Sequence, residues 1–341
     1  MGEAFLHGHG GMNFKAITAT LPNTKYIVGD PSYNENTLIY ATFGHETVRL
    51  FPSECVFTPT TIAADTTHVT ISKTVNGVTR SVSIPITVYT LQTTFGENSW
   101  DAIAVAAQWG KAKDIWQPGD EKTETIGGSQ HTFRIVGFDN NNLAPDDEMY
   151  GNPAYNNGSG KAHITLQFKT VAGEEKYNDE KMKDRTKTFA DSKMNMEILP
   201  ALYAQFPQAL KNVIRLVGLY CFESASIQNP GTEVILPSRL SLIEPYVESQ
   251  SILHTLRTSG TMAEFYFENM DRISPYQLFY DGYIGIGSDD SSFEWTRGFS
   301  WYDQANGYQI PSMASSADYY NPRYSYVWPD VVKPYRPIFN I

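Results

Sequence analysis

Two runs of alternating apolar and polar residues, joined by Asn76-Gly77, constrain the fold of this chain most strongly. Apolar residues recur on one face over residues 69–75 and again at alternate positions over residues 78–88. Asn-Gly between such runs predicts a two-residue hairpin, because both turn residues adopt positive φ. Pro85 must then lie on an edge strand or at a bulge, since proline cannot donate to a ladder. We therefore expect a small β-sandwich over residues 21–90.

The apolar pattern changes from strand to helical spacing after residue 90. Apolar residues recur every three or four positions over residues 100–107, so a helix is predicted over residues 99–110. Asn98 is its expected N-cap, and Gly110 is its expected end.

Further along the chain, helical spacing predicts two more helices, over residues 194–206 and 208–217, with Met196 facing the core. Strand-like segments separate these helices. They are residues 122–126, 131–138, 162–168, 233–236, 265–267, 293–296 and 335–340. This mixture predicts one α+β domain over residues 91–341.

The first residues have a composition of their own. Four of the first eleven residues are glycines, and His7 and His9 lie between them. Glycine-rich segments lose too much conformational entropy on ordering to sustain a core. Residues 1–20 are therefore expected to form a flexible Gly- and His-rich leader that becomes ordered only against other chains.

Charge and composition exclude several classes of partner. A net charge of −11 and a pI of about 5.1 argue against a nucleic-acid partner. No stretch approaches the roughly 18 consecutive apolar residues of a membrane span, so no membrane insertion is expected. The N-terminal residues lack the basic and apolar regions of an export signal, so no signal peptide is expected. Cys55 and Cys221 have no metal-ligand spacing, and two buried thiols are expected.

The common catalytic and nucleotide-binding motifs are missing from the sequence. It has no nucleophile elbow, phosphate-binding loop or zinc-protease motif, and its seven histidines are scattered. We expect no enzyme, no cofactor and no metal site. One alternative stays open in the loop from Asp139 to Glu148, whose oxygen-bearing side chains could bind calcium or could cap their own backbone.

An ordered set of motifs over about residues 90–341 resembles a known family. The set includes "RIVGFD", "NGSGKAHITLQF", "FEWTRGFSW" and the final "VKPYRPIFNI". It is similar to an uncharacterised C-terminal domain of tail-associated virion proteins from phages and prophages of Firmicutes. That domain is related in pattern to C-type-lectin-like domains. The resemblance therefore implies a mainly β N-terminal immunoglobulin-like module followed by an α+β C-type-lectin-like domain.

The resemblance also implies roles for particular residues. Trp295, Arg297, Arg336, Pro337 and Phe339 match the family's closing motifs, and we expect them to be structural. The calcium-lectin triplets and the catalytic cysteine pair of formylglycine-generating enzymes are absent. Neither calcium-dependent sugar binding nor oxidase chemistry is therefore expected.

The candidate recognition residues lie between about residues 270 and 330. This stretch holds many of the 21 tyrosines, separated by Gly, Ser, Asn and Asp, a composition typical of adaptable recognition loops. The candidates are Trp301, Tyr302, Tyr308, Tyr319, Tyr320, Tyr324 and Trp328. The alternative is that these rings form the core of irregular loops.

Together these features predict a non-enzymatic bacteriophage virion protein of tail-fibre or tail-tip type. Its expected partners are other virion proteins through the leader, further copies of itself in a homo-oligomer such as a trimer, and a glycan or protein on the host surface. The alternative is a purely architectural virion component, such as a baseplate, collar, head-fibre or head-decoration protein. The expected location in either case is the virion.

Overall fold

The computed structural model describes residues 13–180, 189–222, 233–242, 294–295, 301–303, 307–314, 323–327 and 330–341. The fold is mostly β with few helices. Within residues 13–90, the chain contains eight strands. They are β1 (Phe14–Thr20), β2 (Lys25–Ile27), β3 (Leu38–Phe43), β4 (Glu46–Leu50), β5 (Val56–Thr58), β6 (His68–Val75), β7 (Val78–Pro85) and β8 (Thr87–Tyr89).

These strands form a β-sandwich. One antiparallel sheet has the order β1-β3-β4, a second has the order β5-β6-β7, and β2 pairs in parallel with β8. Both sheets contribute to one apolar core, which includes Ile39 and Phe43 from β3 and Val69 and Ile71 from β6. The mainly β N-terminal module is therefore confirmed.

The predicted hairpin is present. Asn76 and Gly77 have φ values of 49° and 76° and connect β6 to β7, which is an edge strand. Pro85 is the last residue of that edge strand, as its missing N–H requires.

The predicted boundary between leader and sandwich is wrong. β1 pairs along its length with β3 of the same chain, and Phe14 and Ile17 are buried in the sandwich core. Strand pairing and the burial of these two side chains stabilise residues 14–20, although the segment before them is rich in glycine. The sandwich thus begins at residue 14, and residues 1–12 lie outside the described part of the chain.

The helical segments of the second part are short. They are α1 (Trp100–Gln108), α2 (Ala112–Ile115), a π-helical turn (Met194–Ile198), α3 (Leu199–Ala204) and α4 (Gln208–Lys211). Single 3-10 turns occur at Pro52–Glu54, Phe95–Glu97, Asn156–Gly158 and Phe189–Asp191. Within the described ranges, none of the helices is long and apolar enough to cross a membrane.

The helix at Trp100 forms as predicted, but its cap is one residue later than expected. The side chain of Ser99 accepts a hydrogen bond from the Ala102 N–H at 3.2 Å. Asn98 is buried instead in the preceding turn, where its amide donates to the Gln92 carbonyl at 3.0 Å. Gly110 follows the helix with a φ of 65°, as expected for a glycine that ends a helix.

Two further helix predictions need correction. Met196 is 65% exposed, and Met194 is buried in its place, because the π-helical turn changes the phase of the helix face. The predicted helix 208–217 ends at Lys211, and Val217 begins a strand. Beyond the end of this helix, the Arg215 N–H donates to the Asn340 carbonyl of the terminal strand at 2.8 Å.

The described residues after Tyr89 contain thirteen strands. They are β9 (Glu121–Ile126), β10 (Ser129–Phe138), β11 (Ile164–Phe168), β12 (Gly173–Lys176), β13 (Val217–Phe222), β14 (Glu233–Ser238), β15 (Ser241–Leu242), β16 (Glu294–Trp295), β17 (Trp301–Asp303), β18 (Gly307–Ala314), β19 (Arg323–Val327), β20 (Val332–Tyr335) and β21 (Pro337–Asn340). Residues 265–267, predicted as a strand, lie outside the described residues.

A five-stranded antiparallel sheet of order β15-β21-β11-β10-β9 is the centre of this part. An aromatic cluster lies on it: the Phe133 ring is 4.7 Å from the Phe168 ring and 5.1 Å from the Phe339 ring, centroid to centroid. Residues of α1, α3 and α4 belong to the same core. The last strand, β21, thus pairs with β11, although the two strands are far apart in sequence.

The two parts of the chain pack against each other. The Trp109 indole N–H donates to the Lys25 carbonyl at 3.0 Å, and the Trp109 ring lies 5.4 Å from the Tyr26 ring. The Lys111 ammonium pairs with the fully buried carboxylate of Asp30. These contacts anchor the region after α1 to the N-terminal sandwich.

Candidate functional site

Four of the candidate recognition residues lie in one small antiparallel sheet. Trp301 and Tyr302 belong to β17, Tyr308 to β18 and Tyr324 to β19. We call β16 to β19 the aromatic sheet. Tyr319, Tyr320 and Trp328 lie outside the described residues.

The central strand of the aromatic sheet is β18, which pairs with the other three strands. Tyr302 pairs with Tyr308, and Tyr324 pairs with Met313. Neighbouring strands run about 4.8 Å apart, so Tyr302 and Tyr308 occupy adjacent positions, whereas Tyr324 lies beside Met313, five residues further along β18 and roughly 17 Å away at about 3.3 Å per residue. The sequence identified these positions by composition, but it gave no indication of this register.

Strand order connects the aromatic sheet to the central sheet. Trp295 of β16 pairs with Ser312, and β16 also lies beside β20. β20 pairs with β12 and continues through Arg336 into β21 of the central sheet. Contact between Gly173 and Tyr335 keeps β12 close to β20: a Cβ atom at Gly173 would lie 3.1 Å from the Tyr335 ring. β16, and the part of β18 that pairs with it, therefore lie next to a strand that leads into the packed core.

Three of the five residues expected to be structural are described with their side chains. Arg336, Pro337 and Phe339 are buried, and Phe339 has no exposed surface. Trp295 is placed only by its strand pairing, and Arg297 lies outside the described residues. Burial of this kind is what a packing role requires, and the role itself stays a prediction.

The loop that could have bound calcium uses its first carboxylate within the protein. Asp139, at a φ of 56°, accepts hydrogen bonds from Asn156 Nδ2 at 2.7 Å, His163 Nδ1 at 2.9 Å and Lys113 Nζ at 3.2 Å. Burial alone would raise the pKa of this carboxyl, but the hydrogen bonds and the His163 ring outweigh it and hold the pKa well below its usual value. His163 is fully buried. Sequence reasoning missed this pair, since Asp139 follows β10 and His163 precedes β11, and only the pairing of these strands brings the two residues together.

The other end of this loop is held by an arginine. Arg215 Nη1 lies 2.7 Å from Glu148 Oε1 and 3.6 Å from Asp147 Oδ1, and Asp147 Oδ2 accepts from the Leu216 N–H at 2.6 Å. These carboxylates therefore fasten the loop to the segment before β13. Across the described ranges, no three His, Cys, Asp or Glu side chains are grouped so that they could hold a metal ion.

Comparison with known proteins adds no relative. No family model, no curated protein and no solved structure matches this chain. Function is therefore inferred from the residues and strand pairing of the chain itself.

Proposed function

We propose that this chain is a non-enzymatic bacteriophage virion protein of tail-fibre or tail-tip type, whose distal part recognises a glycan or protein on the host surface. The observation that supports it is the aromatic sheet, to which Trp301, Tyr302, Tyr308 and Tyr324 all belong and in which Tyr302 pairs with Tyr308. Tyrosine and tryptophan provide large contact areas with little loss of side-chain entropy, and their polar atoms provide hydrogen bonds. Such rings suit both the flat faces of sugars and protein surfaces.

In this proposal residues 91–341 form a C-type-lectin-like domain. Its supporting features are a small antiparallel sheet, a few short helices and a chain end that returns to the sheet as β21. A packed core supports irregular segments that can vary for recognition. The N-terminal residues attach the chain to other virion proteins, and copies of the chain associate as a homo-oligomer such as a trimer.

A purely architectural virion component is the second candidate. Exposed apolar side chains of the N-terminal sandwich favour it, among them Phe51, which is 55% exposed, and Val56, which is 61% exposed. Exposed side chains of this kind are common at contacts between proteins. Both candidates share a virion location and differ in what the aromatic sheet does.

The test replaces Tyr302, Tyr308 and Tyr324 together by alanine and measures binding of the purified chain to a panel of intact Firmicutes cells. Recognition predicts that the wild type binds at least one strain and that the triple variant binds at least about tenfold more weakly, which is roughly 1.4 kcal/mol. Tyr150→Ala is the matched control, because Tyr150 is 54% exposed and lies outside the aromatic sheet.

A triple variant that unfolds at the same temperature as the wild type and still binds cells equally well would refute the recognition proposal. Binding by neither protein to any strain would favour the architectural candidate. A lowered unfolding temperature would show that these rings belong to the core, as the alternative interpretation of the sequence holds.

A further inference from the structure

The ion pair between Lys111 and Asp30 differs from the other lysine–carboxylate pairs in its burial. It joins the N-terminal sandwich to the region after α1, and its two residues are 81 positions apart in the sequence. The Asp30 side chain has no exposed surface, and the Lys111 side chain is 38% exposed. In the other such pairs of the described residues, the carboxylate is 28% to 65% exposed. Among these pairs, the Asp30 carboxylate alone is cut off from water.

Hydrogen bonds fix the Asp30 carboxyl group in place. The Asp30 N–H donates to the Ile27 carbonyl at 3.0 Å, and the Asp30 carbonyl accepts from the Ile62 N–H at 2.8 Å. Its side-chain Oδ2 accepts from the Ile27 N–H at 2.9 Å, whereas Oδ1 contacts Lys111 Nζ. The Lys111 backbone is fixed as well, because its N–H donates to the Ala106 carbonyl at 2.9 Å. The amine and the carboxyl group are therefore held in direct contact by two anchored backbones.

Two aromatic residues belong to the surroundings of this pair. Tyr26 is 1% exposed, and burial, followed by the charge of Asp30, raises the pKa of Tyr26 to about 12. Trp109 lies two positions before Lys111, and its ring is 5.4 Å from the Tyr26 ring. Asp30 thus lies in surroundings of low polarity, in which water competes weakly for its carboxyl group.

We propose that Lys111 and Asp30 condense into an intramolecular isopeptide bond after the chain has folded. The Lys111 ammonium passes one proton to Asp30 Oδ1, and the neutral amine then attacks Cγ of the same carboxyl group. A bond forms between Nζ and Cγ, and the bond between Cγ and Oδ1 breaks. Oδ1 takes a second proton from the nitrogen and leaves as water. An ammonium and a carboxylate contain every atom of the amide and the water, so no other reactant is needed.

The observed contacts favour this reaction in two ways. Reacting groups that are held in contact behave as if present at about 10⁵–10⁸ M, which offsets the unfavourable release of water into water. The Ile27 N–H donates to Oδ2, the oxygen on which negative charge develops when the amine attacks Cγ.

Burial favours the product as well. Two ions away from water lose much of their hydration, whereas an amide carries no charge. The bond closes a covalent loop from residue 30 to residue 111, so the sandwich stays joined to the region after α1 even when the chain unfolds. This inference depends on the contact between these residues and not on host recognition, so the two proposals can fail separately.

Mass spectrometry of the intact, denatured full-length chain tests the bond. The wild type is expected to be lighter than its sequence requires by the mass of one water molecule. Lys111→Arg is expected to have its full calculated mass, because a guanidinium stays charged and does not attack a carboxyl group. Lys113→Arg is the matched control, since Lys113 lies two positions away and pairs with Asp139 instead. It is expected to lack one water, as the wild type does.

Peptide mapping locates the bond. Trypsin does not cleave after an acylated lysine, so digestion of the wild type is expected to release one branched peptide that joins residues 26–49 to residues 81–113. A wild type of full calculated mass would overturn the proposal. A Lys111→Arg chain that still lacks one water, or a wild-type digest without the branched peptide, would overturn it too.

Discussion

Replacement of Phe339 by alanine tests whether the end of the chain holds the second part together. Phe339 is fully buried, and its backbone pairs with Leu166 of β11. Its ring lies edge to face with that of Phe133 at 5.1 Å and also contacts the Phe206 ring at 5.9 Å. The substitution removes a ring that touches two elements distant in sequence, and the packed surroundings can fill the cavity only partly.

The size of the effect follows from core truncations in general. Phenylalanine to alanine in a core costs about 3–5 kcal/mol of unfolding free energy. Each kcal/mol lowers the unfolding temperature of a domain of this size by about 2–4 °C. Phe339→Ala is therefore expected to unfold roughly 8–16 °C below the wild type, taking about 4 kcal/mol as the central value.

Differential scanning calorimetry measures this shift directly. Val332→Ala in β20 is the control, because Val332 is 52% exposed and its truncation is expected to cost less than about 0.5 kcal/mol. An unfolding temperature of the Phe339 variant within about 2 °C of the wild type would refute the core assignment. Loss of cell binding without loss of stability would move Phe339 from the core to the recognition surface.

Three further predictions concern single side chains. Because the pKa of Asp139 is depressed in the folded chain, this carboxylate contributes stability above its unfolded pKa of about 3.9 that is lost as the pH falls further. Asp139→Asn should therefore unfold more readily at pH 7 and show less further loss below pH 4 in urea titrations, and parallel pH profiles would contradict this. Lys111→Ala should cost about 1–3 kcal/mol in the same assay, because it leaves the buried Asp30 carboxylate without its ion-pair partner; an unchanged urea midpoint would count against that pair. Burial raises the pKa of the Cys55 thiol to about 11, so peptide mapping after iodoacetamide treatment at pH 8 should show much slower alkylation than of free cysteine, and equal rates would contradict the burial.

Local patterns in the sequence were sufficient for the elements whose signals are short-range. The Asn76-Gly77 hairpin and the helix from Trp100 both formed, because each depends on neighbouring residues alone. The cap moved from Asn98 to Ser99 since both residue types can cap, and the Asn98 amide was needed in the preceding turn. Met196 faced outward because periodicity cannot show a π-helical turn in advance.

Long-range pairing was beyond such patterns. The terminal strand lies between β11 and β15, so Thr165 pairs with Asn340 across slightly more than half of the chain. The contact of His163 with Asp139 depends on how two strands and a long loop come together. The candidate rings were found by composition, and only strand register brings Tyr302 opposite Tyr308.

The central claim is that this chain sits on the virion with its aromatic sheet directed at the host, and immunoelectron microscopy of intact particles tests it most directly. Gold-labelled antibodies against the purified chain would be applied to phage particles that encode it. The proposed function predicts gold at the distal end of the tail. Gold on the head, or particles without any gold while the free chain is recognised, would contradict it.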